Sequence, residues 1–152
     1  MIITERTKRA IPFRPQDAKR VGEGCFYLDQ IVWLNGENIE MGDDVGFNYG
    51  CYVNGYGGLV IGDGTIFRPY TMIHTANHRM DDISRPIPEQ GWETSPPVQI
   101  GPQCWIGMGV CILPGVRVGE GCVIGAGSVL THDLDAYTVA VGNPAKPVRS
   151  RR

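Results

Sequence analysis

The 152-residue sequence lacks a long apolar run and a surplus of basic residues. No stretch approaches the roughly 18 consecutive apolar residues of a membrane-spanning helix, and residues 1–20 carry scattered charges instead of the apolar core of a secretory signal. The 14 Lys and Arg residues are balanced by 16 Asp and Glu residues, so the chain has no electrostatic footprint for a nucleic-acid backbone. We therefore expect one compact cytoplasmic domain with no membrane span and no nucleic-acid partner.

The sequence also lacks a cysteine pattern that would hold a disulfide framework or a structural zinc ion. Its five cysteines are odd in number, and none form a C-x-x-C motif. We expect them to serve as small apolar side chains. They are Cys25, Cys51, Cys104, Cys111 and Cys122.

Glycine is abundant, with 21 residues, and the glycines recur in phase with aliphatic residues. Read in sixes from Ile100 to Leu130, every anchor position is aliphatic, and a small residue follows four places after each of the first five anchors. Neither the helical period of about 3.6 nor simple strand alternation explains this spacing. The anchors are Ile100, Ile106, Ile112, Val118, Ile124 and Leu130, and the small residues are Cys104, Val110, Val116, Cys122 and Ser128.

The same period occurs upstream in three blocks that are separated by two shifts of two residues each. A flat segment followed by a corner every six residues predicts three-sided coils of about 18 residues, stacked about 4.8 Å apart through parallel backbone hydrogen bonds. We predict an all-β parallel β-helix over residues 21–130, with an N-terminal segment at 1–20 and a C-terminal segment at 131–152. The upstream anchors are Val21, Tyr27 and Trp33, then Met41, Phe47 and Val53, then Ile61, Phe67 and Ile73.

Several segments resemble the hexapeptide-repeat acyltransferase family, among them I-G-D-G-T at 61–65, W-I-G-M-G at 105–109 and V-G-N-P-A-K at 141–146. The resemblance extends over roughly residues 20–149. It implies that the coils are left-handed, that the protein is a homotrimer and that it transfers an acetyl group from acetyl-CoA.

The six-residue period fails from 77 to 98, where the sequence is polar and rich in proline before the register returns at Ile100. A long loop that leaves a rigid repeat is more often functional than decorative, since ordering it costs conformational entropy. We therefore predict an extruded, functional loop at 77–98.

A histidine stands where the coil ends and this loop begins. The chain has only His74, His78 and His132, and any one of them alone is more often a surface residue than a catalytic one. A-N-H-R-M-D at 76–81 and G-W-E at 91–93 resemble the xenobiotic acetyltransferase branch, which acts on streptogramins and chloramphenicol. That resemblance implies that His78 is the catalytic general base.

Acetyl transfer from a thioester to an alcohol requires removal of the hydroxyl proton as the oxygen attacks. A neutral imidazole suits this step because the pKa of histidine is ordinarily about 6.5. A backbone carbonyl or a carboxylate would hold the other ring nitrogen of His78, and Asp81 and Asp82 are the candidate carboxylates. No cysteine is placed to carry an acyl group, so we expect direct transfer within a ternary complex.

The resemblance further implies that acetyl-CoA, the expected co-substrate, lies along the coils after the loop. In the family the pantetheine arm bonds backbone groups at the coil edges, although corner geometry is the simpler explanation of each glycine taken alone. Many relatives carry lysine where this chain has His132, and no metal is expected. The matching positions are Trp105, Gly107, Gly125, Ala126, Thr131 and His132, with Lys146 and Arg149 as candidates for the phosphates.

Aromatic and amide residues outside the core positions are candidates for binding the acceptor, although such residues also occur in turns without any ligand. A sugar hydroxyl in polysaccharide building is the leading expectation, and a hydroxylated antibiotic is the alternative. The candidates are Asn48, Tyr49, Tyr52, Asn54, Tyr56 and Trp92.

Two other classes of protein use such a scaffold. A γ-carbonic anhydrase holds zinc with three histidines, one of them well upstream of a close pair; His74 and His78 form a pair here, but no histidine precedes them. A non-catalytic β-helix used for assembly has no need of a loop that carries His78. The acetyltransferase is therefore the favoured interpretation.

Overall fold

The computed structural model describes residues 9–152, and residues 1–8 of the predicted N-terminal segment lie outside the described residues. Three short 3-10 helices, Pro15–Asp17, Gly36–Asn38 and Ile87–Glu89, accompany the β-strands. The strands are β1 (Ile11–Pro12), β2 (Phe26–Tyr27), β3 (Val32–Leu34), β4 (Ile39–Met41), β5 (Gly46–Phe47), β6 (Tyr52–Asn54), β7 (Leu59–Ile61), β8 (Ile66–Phe67), β9 (Met72–His74), β10 (Val98–Ile100), β11 (Trp105–Ile106), β12 (Cys111–Ile112), β13 (Arg117–Val118), β14 (Val123–Ile124), β15 (Val129–Leu130), β16 (Thr138–Gly142) and β17 (Ala145–Ser150).

The strands form three sheets, which are the three sides of a triangular column. Side A contains β1, β2, β5, β8, β11, β14, β16 and β17; side B contains β4, β7, β10 and β13; side C contains β3, β6, β9, β12 and β15. Neighbouring strands are parallel except for the pairs β1–β2 and β16–β17 at the two ends of side A. The chain visits sides B, A and C in turn, and the predicted stack of three-sided coils is confirmed.

Departures from the six-residue period are concentrated at the corner between side C and side B. From Tyr52 on side C to the aligned position on side B, Val60, the chain takes eight residues, whereas from Cys111 to Arg117 it takes six. The predicted two-residue shifts are therefore longer corners. The extruded loop leaves β9 and returns to β10 at this same corner.

The anchor residues point into the column and form one continuous core. Ile106 and Ile112 have no exposed surface, and Phe47 stacks on Phe67 with ring centroids 4.3 Å apart and 2° between the ring planes. Such stacking of equivalent side chains in successive coils is what the six-residue spacing requires. The anchors of the first block, Val21, Tyr27 and Trp33, are only partly buried against this core.

The small residues that follow the anchors also turn inward, and several donate hydrogen bonds to the next coil. Thr65 Oγ1 donates to the carbonyl of Gly101 at 2.9 Å, and Cys104 Sγ donates to the carbonyl of Gly119 at 3.2 Å. Such bonds satisfy carbonyls that would otherwise be buried without a partner. Cys25 and Cys122 make the equivalent contacts with Gly42 and Asp135. All five cysteines are free thiols, so their predicted role as structural side chains agrees with the structure.

The column extends into residues that the sequence assigned to the loop and to the C-terminal segment. Val98 is buried and begins β10, so the loop ends one residue earlier than predicted. Strand β16 pairs in parallel with β14 and places Ala140 in the core, beyond the predicted boundary at residue 130. The chain then reverses into β17, and Arg151 Nη1 donates to the carbonyl of Gly121 at 2.6 Å. None of the helices within residues 9–152 is long and apolar enough to cross a bilayer.

The outward-facing residues differ in character between the three sides. Four successive coils present Glu40, Val60, Gln99 and Arg117 on side B, and three of these residues are polar. Sides A and C present mainly apolar rows, and a continuous apolar surface of this kind marks an interaction site more often than scattered apolar residues do. These rows are Phe26, Ile66, Trp105 and Val123 on side A, and Val32, Tyr52, Met72, Cys111 and Val129 on side C.

We expect Ile61→Ala to destabilise the column far more than Val60→Ala at the neighbouring position. Ile61 is 2% exposed and points inward, whereas Val60 is 42% exposed on side B. The loss for Ile61→Ala should be about 2–5 kcal/mol because a cavity forms in the core, against about 0.5 kcal/mol or less for Val60→Ala. Urea denaturation at one fixed protein concentration measures both, and equal losses would contradict the inward assignment of the anchors.

Candidate functional site

The extruded loop closes on itself through a short antiparallel ribbon at its base. His78 and Trp92 lie opposite each other in an isolated antiparallel bridge. The backbone N–H of Glu93 donates to the carbonyl of Asn77 at 2.8 Å, and the N–H of Arg79 donates to the carbonyl of Gly91 at 3.0 Å. The ribbon therefore fixes His78 at the point where the loop joins the column.

The imidazole of His78 stacks on the indole of Trp92, and the ring of Tyr56 packs against that indole at a tilt of 37°. The imidazole centroid lies 4.1 Å from that of Trp92, with 23° between the ring planes. The Trp92 ring also contacts Tyr56, whose centroid is 4.7 Å away. His78 is exposed to solvent and Trp92 is 37% exposed, so the stack lies at the surface.

No hydrogen bond within residues 9–152 involves either ring nitrogen of His78. Asp82, one of the two carboxylates expected to orient it, instead accepts from the backbone N–H and the hydroxyl of Ser84 at 3.0 and 2.6 Å. These hydrogen bonds lower the pKa of Asp82 below its usual value. Asp82 therefore shapes the loop tip and does not orient the histidine.

A second feature is an apolar groove on side A, and four of the residues predicted to bind the coenzyme line it: Trp105, Gly107, Gly125 and Ala126. Its volume is about 300 Å³. A Cβ at Gly107 would lie 2.5 Å from the carbonyl oxygen of Ile124, and one at Gly125 would lie 2.6 Å from the side chain of Val141, so glycine at both positions lets successive coils pack closely. Arg68, Met108, Val123 and Ile124 complete the lining.

Arg68 was missed by the sequence analysis. The candidates for binding the coenzyme came from the family motifs and from the coils after the loop. Arg68 precedes the loop in the chain and belongs to the coil below Trp105. Only the stacking of β8 beneath β11 brings it to the groove.

The two cations predicted for the phosphates lie above this groove on the same side of the column. Arg149 pairs with Val139, and Lys146 pairs with Val141. Since Val139 in turn pairs with Val123, the row from Trp105 continues through side A to β17. Lys146 and Arg149 are both exposed.

Thr131 and His132 do not line the groove of Trp105 in a single chain. They line a separate concavity with Ser95 and Pro96, where the loop returns to the column. The hydroxyl of Thr131 lies 2.8 Å from Nδ1 of His132. The reason is geometric: residues that follow β15 leave side C, whereas the groove lies on side A.

The predicted acceptor residues do not form one pocket in a single chain. Asn48 and Tyr49 precede β6 at the corner between sides A and C, whereas Tyr56 follows β6 and reaches Trp92. The side-chain oxygen of Asn54 accepts from Asn35 Nδ2 at 2.8 Å and from the N–H of Tyr56 at 3.0 Å. Asn54 is therefore committed to holding a corner.

Two further predicted acceptor residues have distinct surroundings. Tyr52 points outward on side C, with its ring centroid 6.5 Å from that of His74. The hydroxyl of Tyr49 is buried without a hydrogen-bond partner among the described residues. Over residues 9–152, His, Cys, Asp and Glu side chains form no cluster of three that could hold a metal ion.

The imidazole and the groove lie in different parts of the column. His78 follows β9 at the corner between sides C and B, and in a triangular column that corner is opposite side A, where Trp105 lies. A single chain therefore presents the two halves of the candidate site on separate surfaces.

Comparison with known proteins agrees with this architecture. Residues 97–132 match the family described as bacterial transferase hexapeptide (six repeats). A Schizosaccharomyces pombe protein that its name assigns provisionally to the acetyltransferases is 42% identical over 114 residues, which are 75% of this chain and 54% of that protein. The chain thus spans about half the length of this curated relative.

Solved structures extend the likeness to most of the chain. A maltose O-acetyltransferase from Clostridium difficile 630 is 36% identical with a TM-score of 0.83, over 90% of this chain and 72% of the other. A galactoside acetyltransferase solved with coenzyme A is 29% identical with a TM-score of 0.76, over 91% of this chain and 68% of the other. The chain belongs to the hexapeptide-repeat transferase family, and the predicted left-handed parallel β-helix is confirmed.

Proposed function

We propose that this protein transfers the acetyl group of acetyl-CoA to a hydroxyl of a sugar or polysaccharide precursor, with His78 as the general base. The observation that carries the proposal is the placement of His78, which is exposed at the base of the loop and fixed by the ribbon to Trp92. The names of the maltose and galactoside enzymes among its structural relatives support a sugar acceptor. A hydroxylated antibiotic stays as the alternative acceptor.

The proposed chemistry needs one proton acceptor beside the thioester. His78 removes the proton from the acceptor hydroxyl as its oxygen attacks the thioester carbonyl, and the carbon–sulfur bond then breaks to release the thiol of CoA. The proton that His78 has taken neutralises the departing sulfur. Cys111 is the one cysteine that is not fully buried, and burial raises the pKa of its thiol, which disfavours the thiolate that an acyl-enzyme route requires.

The groove on side A has the properties that a pantetheine arm requires. It is lined mainly by apolar side chains and by Gly107 and Gly125. Lys146 and Arg149 lie at its upper end, where cations would meet the phosphates of the coenzyme. Thr131 and His132 are assigned to the coenzyme only through a neighbouring subunit.

We propose a homotrimer because the apolar rows of sides A and C need a cover and the candidate site is divided between two surfaces. In a three-fold assembly with the corner between sides A and C at the axis, side A of one subunit packs on side C of the next. That arrangement leaves the polar side B in solvent. It brings the loop corner of one subunit toward the groove of another, so that His78 and Trp105 from different subunits complete one site.

We expect His78→Ala to lower kcat by about 10²-fold or more while CoA affinity stays nearly unchanged, because the variant loses the base and not the groove. Acetyl-CoA consumption with a panel of sugars, nucleotide-sugars and hydroxylated antibiotics measures the first effect and identifies the acceptor. Calorimetry with CoA measures the second. Unchanged turnover in the variant would remove His78 from the mechanism.

We expect Trp105→Ala to weaken CoA binding by roughly tenfold or more, since an aromatic side chain that packs on a ligand contributes at least about 1.4 kcal/mol. Trp105 is 52% exposed, so the column itself should keep its thermal stability. Calorimetric titration with CoA checks this result, with Val60→Ala on side B as the matched control. Equal affinity in both variants would place the coenzyme elsewhere.

We expect Met72→Glu on side C to disrupt the trimer, because it buries a carboxylate in an apolar contact between subunits. Gln99→Glu on side B should leave the assembly intact. Light scattering on the wild type and both variants gives the mass of each. A monomeric wild type, or a Met72→Glu trimer as stable as that of Gln99→Glu, would contradict the assembly.

A further inference from the structure

The orientation of His78 is fixed without a hydrogen bond from residues 9–152 to its ring. Its imidazole lies almost flat on Trp92, with centroids 4.1 Å apart and 23° between the planes. A face-on contact covers one face of the imidazole and leaves its edge, which carries both nitrogens, free for a substrate. This geometry is suited to a base that must reach a hydroxyl.

A rigid part of the column supports the Trp92 ring. Tyr56, which contacts the Trp92 ring, lies in the corner that follows β6. Its backbone N–H donates to Asn54 Oδ1 at 3.0 Å, and the same oxygen accepts from Asn35 in the coil below at 2.8 Å. The position of Tyr56 is therefore set by two coils, and Trp92 transmits that position to the loop.

The backbone prevents the two rings from sliding apart. His78 and Trp92 face each other across the antiparallel bridge, and the Nε of Arg79 donates to the carbonyl of Trp92 at 3.0 Å. A displacement of Trp92 along its strand would therefore break the contacts that close the loop.

We propose that Trp92 is the positioning residue of His78, with Tyr56 as its support. This inference rests on the proposed function of His78 as the general base. When His78 takes a proton it becomes a cation on the face of an indole, and that arrangement attracts cations. The stack thus holds the base in place before the reaction and stabilises the charge that the reaction creates.

The proposal differs from the expectation that Trp92 binds the acceptor. An acceptor platform would contribute to the KM for the acceptor, whereas a positioning residue contributes to kcat, because the misplaced base fails after the substrates have bound. The two roles therefore separate in steady-state kinetics.

The test compares the full-length wild type with three variants, Trp92→Leu, Trp92→Phe and Tyr56→Leu, and uses Ile83→Ala as the control. Ile83 is fully exposed in the same loop, and its replacement leaves the stack intact. We expect Trp92→Leu to lower kcat by about tenfold, with both KM values within about twofold of the wild type, since only the placement of the base is lost. Trp92→Phe should restore most of kcat because a phenyl ring also stacks, and Tyr56→Leu should lower kcat in the same direction without altering the loop sequence.

A spectroscopic measurement checks the stack without turnover. The ring protons of His78, assigned by comparison with His78→Ala, should resonate upfield in the wild type because they lie over the indole, and this shift should vanish in Trp92→Leu and persist in Ile83→Ala. An unchanged imidazole resonance in Trp92→Leu, or a rise in acceptor KM with kcat retained, overturns the proposal. If the resonance moves but His78→Ala is fully active, the stack stands and the proposed function of His78 fails, so the two failures are distinguishable.

Discussion

Parallel backbone hydrogen bonds between successive coils are the constraint on which the rest of this protein depends. Each strand must present the same residue positions to the strands above and below it, as Ile106 does between Phe67 and Ile124. On sides A and C a single inserted residue would turn the inward side chains outward. Insertions are therefore tolerated only where the chain turns between sheets, and here they gather at the corner between sides C and B.

The restriction of insertions to one corner explains which elements could be predicted from the sequence and which could not. The anchors were recognisable because they must be apolar at a fixed spacing, and the loop was recognisable because the spacing failed. Strand β16 lies beyond the predicted boundary at residue 130, where it continues side A through backbone pairing with the small Ala140 in place of a large aliphatic anchor. No side-chain signal of the expected kind marks that strand.

The candidate site was harder to predict because neighbours along this chain point away from different sides of the column. Six residues carry the chain from one side to the next, so Thr131 and His132, though close in sequence to Ala126, leave the column at another corner. The family resemblance suggested that Thr131 and His132 bind the coenzyme, but it did not predict on which surface of the column they lie. Arg68 shows the reverse case, since a residue far away in sequence reaches the groove through the stacking of β8 beneath β11.

The contrast between the two halves of the site has a physical basis. Side A offers a fixed, apolar groove that the rigid column supplies, whereas His78, the proposed base, stands on a loop that departs from the column. An exposed hydrogen bond to an imidazole would compete with water for its donors and acceptors, so it would hold the ring weakly at this surface. The contact with Trp92 instead covers one face of the imidazole and leaves the imidazole edge accessible. A column that stacks aromatic rings in its core at Phe47 and Phe67 thus uses the same kind of contact outside, where Trp92 links the extruded loop to the corner that holds Tyr56.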